Sequence, residues 1–325
     1  MSELEEYEAK IHVAGICEVV KVTALTPHMK RIAFHGSALR GLERHWRPEM
    51  LIRLYFPPEG TTTPPEPHLT ADGTLEFKSP PGTEVSPFSA FSEDPLVRAY
   101  TARLYRPEAL ELDIDFVLHD ATPGLASDWA REAKVGDKLG VVEFALPSGH
   151  RPATVRDADV YLLFADEAGL PAAQTNLEGF APGKKIIAFL EVADRGEEQQ
   201  IDTRADAQVT WLHRNSENCR PGTLLVKAAR ELHWPTGKVF VWACGEMKAV
   251  TEIRQFVRKE RGLQKGTFKT QAYWRLGKTE VERMARMTEL TIAAAEVDPA
   301  SFQESFEEIG MNLIDPTLFE SKSTS

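Results

Sequence analysis

DVYLLFADEAGLPAAQTNLEGF, residues 159–180, decides how the second half of the chain is built. Six apolar residues from Val160 to Ala165 read as a strand buried on both faces, and the helical pattern that follows carries Pro171 in its first turn, where proline is tolerated. The same unit recurs downstream. KKIIAFLEV (184–192), AQVTWLH (207–213) and KVFVWAC (238–244) are compact, mostly apolar strands. GTLLVKAARELH (222–233) and GEMKAVTEIRQFVRKER (245–261) are helical patterns, and TFKTQAYWRLG (267–277) supplies a last strand. Buried strands alternating with helices predict a parallel α/β sheet.

Upstream the rhythm differs. IHVAGICEVVKVTAL, MKRIAFHG, MLIRLYFP, LVRAYTARLY, LELDIDFVLH and KLGVVEF are β-favouring runs separated by Pro, Gly and charged turns, which predicts an antiparallel barrel or sandwich. Between Pro57 and Pro95 a Pro-, Thr- and Ser-rich stretch reads as a long loop holding the hairpin-like ADGTLEF. One helix is expected in ATPGLASDWAREAKVGD, with Ser127 as its cap, Asp128 in its first turn and Gly136 past its end. The expected division is a β-barrel over 1–150, an α/β domain over 151–278, and a helical extension with an acidic tail over 279–325.

At 325 residues, two domains are the natural expectation. A net charge of -11 argues against a general nucleic-acid binder. No apolar run is long enough to span a membrane, and the acidic start MSELEEYEAK is unlike a signal peptide, so a cytoplasmic protein is expected. The three cysteines, Cys17, Cys219 and Cys244, are too scattered for a disulfide framework, a paired-cysteine zinc site or an all-cysteine iron–sulfur cluster. Any redox chemistry falls to an organic cofactor.

Two segments concentrate chemistry. RAYTARLYRP (98–107) puts Arg98 and Tyr100 on one strand face, with Thr101 beside them; packing of Tyr100 and a solvent-facing Arg98 is the bland alternative. FVLHDATPGLASDWA (116–130) ends a strand near His119 and opens a helix after Gly124, leaving free N–H groups suited to phosphate. His119 reads equally well as a satisfied histidine.

These segments, with KVGDKLGV, FADEAGLPAAQTNLE, VWACGEMKAVTEIRQFVRKERG and AYWRLGKTE, resemble the siderophore-interacting protein family of flavin-dependent ferric-siderophore reductases. The resemblance spans nearly the whole chain to about residue 280. It implies an FAD-binding six-stranded barrel followed by an NAD(P)H-binding domain of ferredoxin reductase-like fold. It assigns FAD to Arg98, Tyr100, Thr101, His119, Gly124, Ala126, Ser127 and Trp129, with Tyr100 and Thr101 nearest the chemistry; Trp129 reads equally as helix-to-barrel packing. It assigns the nicotinamide nucleotide, NADH or NADPH, to Asp166, Gly245, Glu246, Tyr273 and Trp274. Asp166 and Glu246 read as well as helix capping, and at least one of the two aromatics as core packing. Cys244 stands where the family more often has alanine, and no G-x-G-x-x-G fingerprint is present.

A bulky, often anionic ferric siderophore calls for cations at the open flavin edge. Arg53, Lys269, Arg275 and Lys278 are the candidates. The implied reaction passes hydride from NAD(P)H to FAD and then single electrons to Fe(III). A general flavin reductase, with ferredoxin as a further partner, and a non-enzymatic ferric-siderophore carrier are the competing readings. A monomer or weak dimer is expected.

Overall fold

A computed structural model describes residues 11–71, 73–79, 96–119, 124–144, 152–215 and 219–278. The expected C-terminal helix and tail, 279–325, lie outside the described residues.

All six upstream runs are strands. They are β1 (Ile11–Thr26), β2 (Met29–His35), β3 (Leu51–Tyr55), β6 (Val97–Arg106), β7 (Glu111–Val117) and β8 (Lys138–Phe144), and they close an antiparallel barrel in the order β1-β2-β7-β6-β3-β8. Inward-facing residues such as Ile32, Phe34, Ile52, Leu54, Ile114, Phe116 and Val141 fill it without solvent exposure. The expected hairpin is β4 (Glu66–Leu69) with β5 (Leu75–Lys78), laid over a small cluster of Tyr55, Leu75, Val97 and Val142. Helix α1 (Leu125–Glu132) docks through Trp129, whose ring centroid lies 6.2 Å from Phe34, 5.6 Å from Phe56 and 5.9 Å from Phe116.

The second half is a five-stranded sheet of β9 (Val160–Ala165), β10 (Lys185–Val192), β11 (Asp206–His213), β12 (Val239–Glu246) and β13 (Phe268–Trp274). Every pairing is parallel and the order is β11-β10-β9-β12-β13. The order of strand addition reverses between the neighbours β9 and β12, which opens a crevice at their carboxyl ends. Helices α2 (Leu170–Gly179), α3 (Thr223–Glu231) and α4 (Met247–Gln255) follow β9, β11 and β12; α4 runs into a π-helical turn, Phe256–Glu260. Helix α2 is almost wholly buried, lying between the sheet and strand β6 of the barrel.

Four sets of polar contacts staple the halves together. Glu49, before β3, has a left-handed backbone (φ 63°). Its carboxylate accepts from Lys269 Nζ at 2.5 Å and from the amide of Ala153 at 3.0 Å, and its own amide donates to Thr175 Oγ1 at 3.1 Å. Arg103 of β6 donates to Glu178 and Gln174 of α2. Glu197 accepts from Thr26 Oγ1 and the His28 amide, and lies 2.7 Å from His28 Nδ1. Gln199 Nε2 reaches Met29 Sδ at 3.0 Å.

Candidate active site

Strand β6 carries the first half of the site. Cross-strand pairing sets Arg98 opposite Leu54, and Tyr100 opposite the buried Ile52. Tyr100 is half-buried against the barrel core, its ring 4.5 Å from Phe116. Arg98 is half-buried at the same face and donates to the Val97 carbonyl at 2.7 Å. Thr101, grouped with Arg98 and Tyr100 in the sequence, does not share their face. It lies mid-strand on the opposite face, and it is buried (5% exposed) because the α/β half covers that face. Arg53 pairs with Ala99, so it shares the outward face with Thr101 two residues away.

What covers Thr101 is the end of β13. The Tyr273 phenol sits among the Thr101 hydroxyl and the Cys244 thiol, and burial pushes both the phenol and the thiol well above their ordinary pKa values. Thr101 Oγ1 has no hydrogen-bond partner of good geometry among the described residues. Its near partner is the Tyr273 phenol, and without a well-formed bond to it the buried hydroxyl keeps hydrogen-bonding capacity for a ligand atom.

Below this point the carboxyl ends of the strands are knotted by Asp166. Its fully buried carboxylate accepts from the amides of Ala168 (3.0 Å), Gly169 (3.1 Å) and Glu246 (2.7 Å), and from Trp274 Nε1 (2.8 Å). Burial, and then the neighbouring Glu167 charge, raise its pKa to about 7 against those hydrogen bonds. Gly245 has φ +144°, and a Cβ there would meet the Asp166 carboxylate at 2.5 Å, so only glycine fits. Glu246 caps α4, accepting from the amides of Lys248 (2.7 Å) and Ala249 (3.2 Å), and also from Arg220 (3.0 Å) and the Leu276 amide (3.2 Å). Asp166, Gly245, Glu246 and Trp274 therefore come together in a framework whose polar atoms are engaged with one another, with Glu246 in the capping role.

The phosphate-type element is also formed, with one correction. Helix α1 is capped by Gly124, not Ser127. Ser127 Oγ instead accepts from the His119 amide at 2.9 Å, which ties the end of β7 to the first turn of the helix. The Gly124 amide donates to Asp128, and among the described residues a Cβ on Gly124 would meet nothing within 4 Å. The His119 side chain is exposed, Ala126 is buried, and Trp129 does the packing already described. The first-turn amides of α1, the space around Gly124 among the described residues and the buried Thr101 hydroxyl fit a flavin dinucleotide, with Arg98 supplying a cation for its phosphates.

Lys269, expected among the substrate cations, instead lies 4% exposed with its ammonium held by Glu49. Arg275 and Lys278 are exposed just past β13. Glu49, Arg103, Glu191 and Arg214 were missed in the sequence. Of these only Glu191 left a sign, as the lone acid in the mostly apolar strand KIIAFLEV.

A barrel bearing a cation, a ring and a hydroxyl on one strand, joined to a parallel sheet whose last strand meets that hydroxyl, defines a flavin- and nicotinamide-linked oxidoreductase of ferredoxin reductase-like fold. Sequence models of the siderophore-interacting FAD-binding domain and of the siderophore-interacting protein match residues 18–150 and 158–277. The chain belongs to the siderophore-interacting protein family, and its barrel is that family's FAD-binding domain. It is 36% identical to a siderophore utilization protein from T. fusca of known crystal structure, with a TM-score of 0.66, covering 84% of this chain and 98% of that one. It is 33% identical over 189 residues to the ferric vibriobactin reductase ViuB of Vibrio cholerae, covering 57% of this chain and 67% of the relative. The NADPH-dependent ferric-chelate reductase of Escherichia coli is 27% identical over 270 residues, 79% of this chain and 91% of its own.

Proposed function

We propose that the chain is an NAD(P)H-dependent, FAD-containing ferric-siderophore reductase that releases iron as Fe(II) in the cytosol. The observation that carries this reading is the meeting of Thr101 with Tyr273. It brings the flavin side of the barrel and the carboxyl end of the parallel sheet to one buried point. Relatives named as ferric vibriobactin and ferric acinetobactin reductases support the iron substrate.

A bound FAD would supply the chemistry that links a two-electron hydride donor to a one-electron Fe(III) acceptor, one hydride serving two Fe(III) ions. The protein's part is placement. Arg98 and the first turn of α1 hold phosphate, and Tyr100 presents its ring. The Thr101 hydroxyl supplies a hydrogen bond at the reacting edge of the flavin. Tyr273 and the framework around Asp166 shape the nicotinamide side. Arg53, on the Thr101 face, and the exposed Arg275 and Lys278 give a cationic approach for an anionic ferric chelate. No general base is needed, because hydride and electrons move between cofactor and substrate.

Fe(II) trapped by a colorimetric chelator tests this. Production should require FAD, a nicotinamide nucleotide and a ferric siderophore together. A colourless protein that cannot be loaded with FAD would overturn the reading, and so would iron reduction that does not depend on the protein.

A further inference from the structure

The rim of the parallel sheet away from Tyr273 carries an ion cluster that the reaction does not use. Glu167 follows β9, Glu191 is the penultimate residue of β10, and Arg214 follows β11. The Arg214 guanidinium grips Glu167 with two nitrogens, Nη1 at 2.9 Å from Oε2 and Nη2 against Oε1. Nη1 also lies 3.1 Å from Glu191 Oε1. Glu191 has no exposure, and its carboxylate also takes the amides of Gly222, Leu224 and Leu225. The Arg214 and Glu167 side chains are 12% and 22% exposed, so this pair faces the crevice rim while Glu191 lies behind it.

Position gives the cluster a role. The Thr101–Tyr273 meeting fixes the nicotinamide end over β12 and β13. A dinucleotide laid across the switch point between β9 and β12 then sends its adenosine half over β9 and β10 toward β11. In sheets of this strand order a carboxylate recognises a free ribose 2′-hydroxyl, and an arginine a 2′-phosphate.

We propose that the Glu167–Arg214 pair makes this chain select NADH over NADPH. The inference rests on the reading that the α/β half holds the nicotinamide nucleotide. A phosphate binds an arginine best through two parallel N–H groups, and Glu167 already occupies such a pair. A 2′-phosphate would have to displace that carboxylate and then stand beside both it and Glu191. A 2′-hydroxyl brings no charge and donates to Glu167.

Two measurements test this on the FAD-loaded protein. The first is anaerobic flavin reduction by NADH and by NADPH. The second is calorimetric binding of adenosine 5′-monophosphate and adenosine 2′,5′-bisphosphate, which differ only in the 2′-phosphate. Wild type should favour NADH by about tenfold or more in kcat/KM, the worth of one charge-assisted hydrogen bond, and should bind the bisphosphate no more tightly than the monophosphate. Glu167→Gln should move the NADPH/NADH ratio by about tenfold toward NADPH, and Arg214→Met added to it should cancel the gain. Wild-type preference for NADPH overturns the proposal without any variant and leaves the nucleotide reading intact. A bisphosphate affinity that Glu167→Gln fails to raise does the same. Failure of both nucleotides to reduce the flavin, with neither adenylate bound, overturns the proposal and the reading together.

Discussion

Thr101 and Arg98 make separable demands on the flavin. Thr101→Val keeps the shape of a buried side chain and removes its hydroxyl. FAD should remain bound while its reduction by nicotinamide nucleotide slows by about tenfold or more, as measured by stopped-flow absorbance. Arg98→Ala should weaken FAD binding by roughly ten- to a hundredfold, read by fluorescence titration, with the melting temperature of the flavin-free protein little changed. Slowed chemistry in both variants at full FAD occupancy would contradict the division of labour. Asp166 gives a third expectation at this scale. Its folded-state value of about 7 lies above the ordinary 3.8, so between about pH 4 and 7 the folded protein keeps a proton that the unfolded chain has released. Its contribution is therefore full at low pH and declines as pH rises through that window, by at most about 1.4 kcal/mol per unit. Asp166→Asn cannot titrate, and its amide turns an N–H₂ toward N–H donors, so it should be less stable overall but flatter with pH. A wild-type-minus-variant difference that stays constant from pH 4 to 8 in urea unfolding would refute the assignment.

Among elements, the seam between barrel and sheet depends on buried charge. Lys269→Met would strand the Glu49 carboxylate, which is 3% exposed, and should cost about 3–5 kcal/mol in chemical denaturation. Pairing it with Glu49→Gln should restore much of that loss; a double variant no better than the single would mean that the ion pair is not what holds the seam. Little of this was legible in the sequence. Glu49 and Lys269 are 220 residues apart, and each is a residue type that ordinarily reads as solvated surface. The strands themselves were legible because local rules set them. Apolar alternation punctuated by Pro, Gly and charge marked all six barrel strands, and continuous apolar runs marked the parallel ones. The α1 cap was misassigned for a physical reason: Gly124 caps without a side chain, which frees Ser127 to bind back to the strand.

For the molecule as a whole, the meeting of Thr101 with Tyr273 lies among the polar staples that join the two halves. Family resemblance pointed to the segments around Arg98–Thr101 and Gly124–Ser127, and both are formed, as part of strand β6 and as the start of helix α1. What one sequence could not show was which polar residues serve the framework. Asp166, Glu246 and Lys269 are buried and satisfied by protein partners, and burial of that kind is settled only by tertiary contact. The central claim is that electrons pass from nicotinamide through flavin to chelated iron at this seam. It is tested most directly by an anaerobic titration of the FAD-loaded protein with NADH or NADPH, followed by a ferric siderophore. The flavin absorbance should bleach on adding nucleotide and return on adding the ferric complex, with two Fe(II) trapped for each flavin reoxidised. A flavin that neither nucleotide bleaches, or a bleached flavin that the ferric siderophore reoxidises no faster than buffer does, would contradict the account.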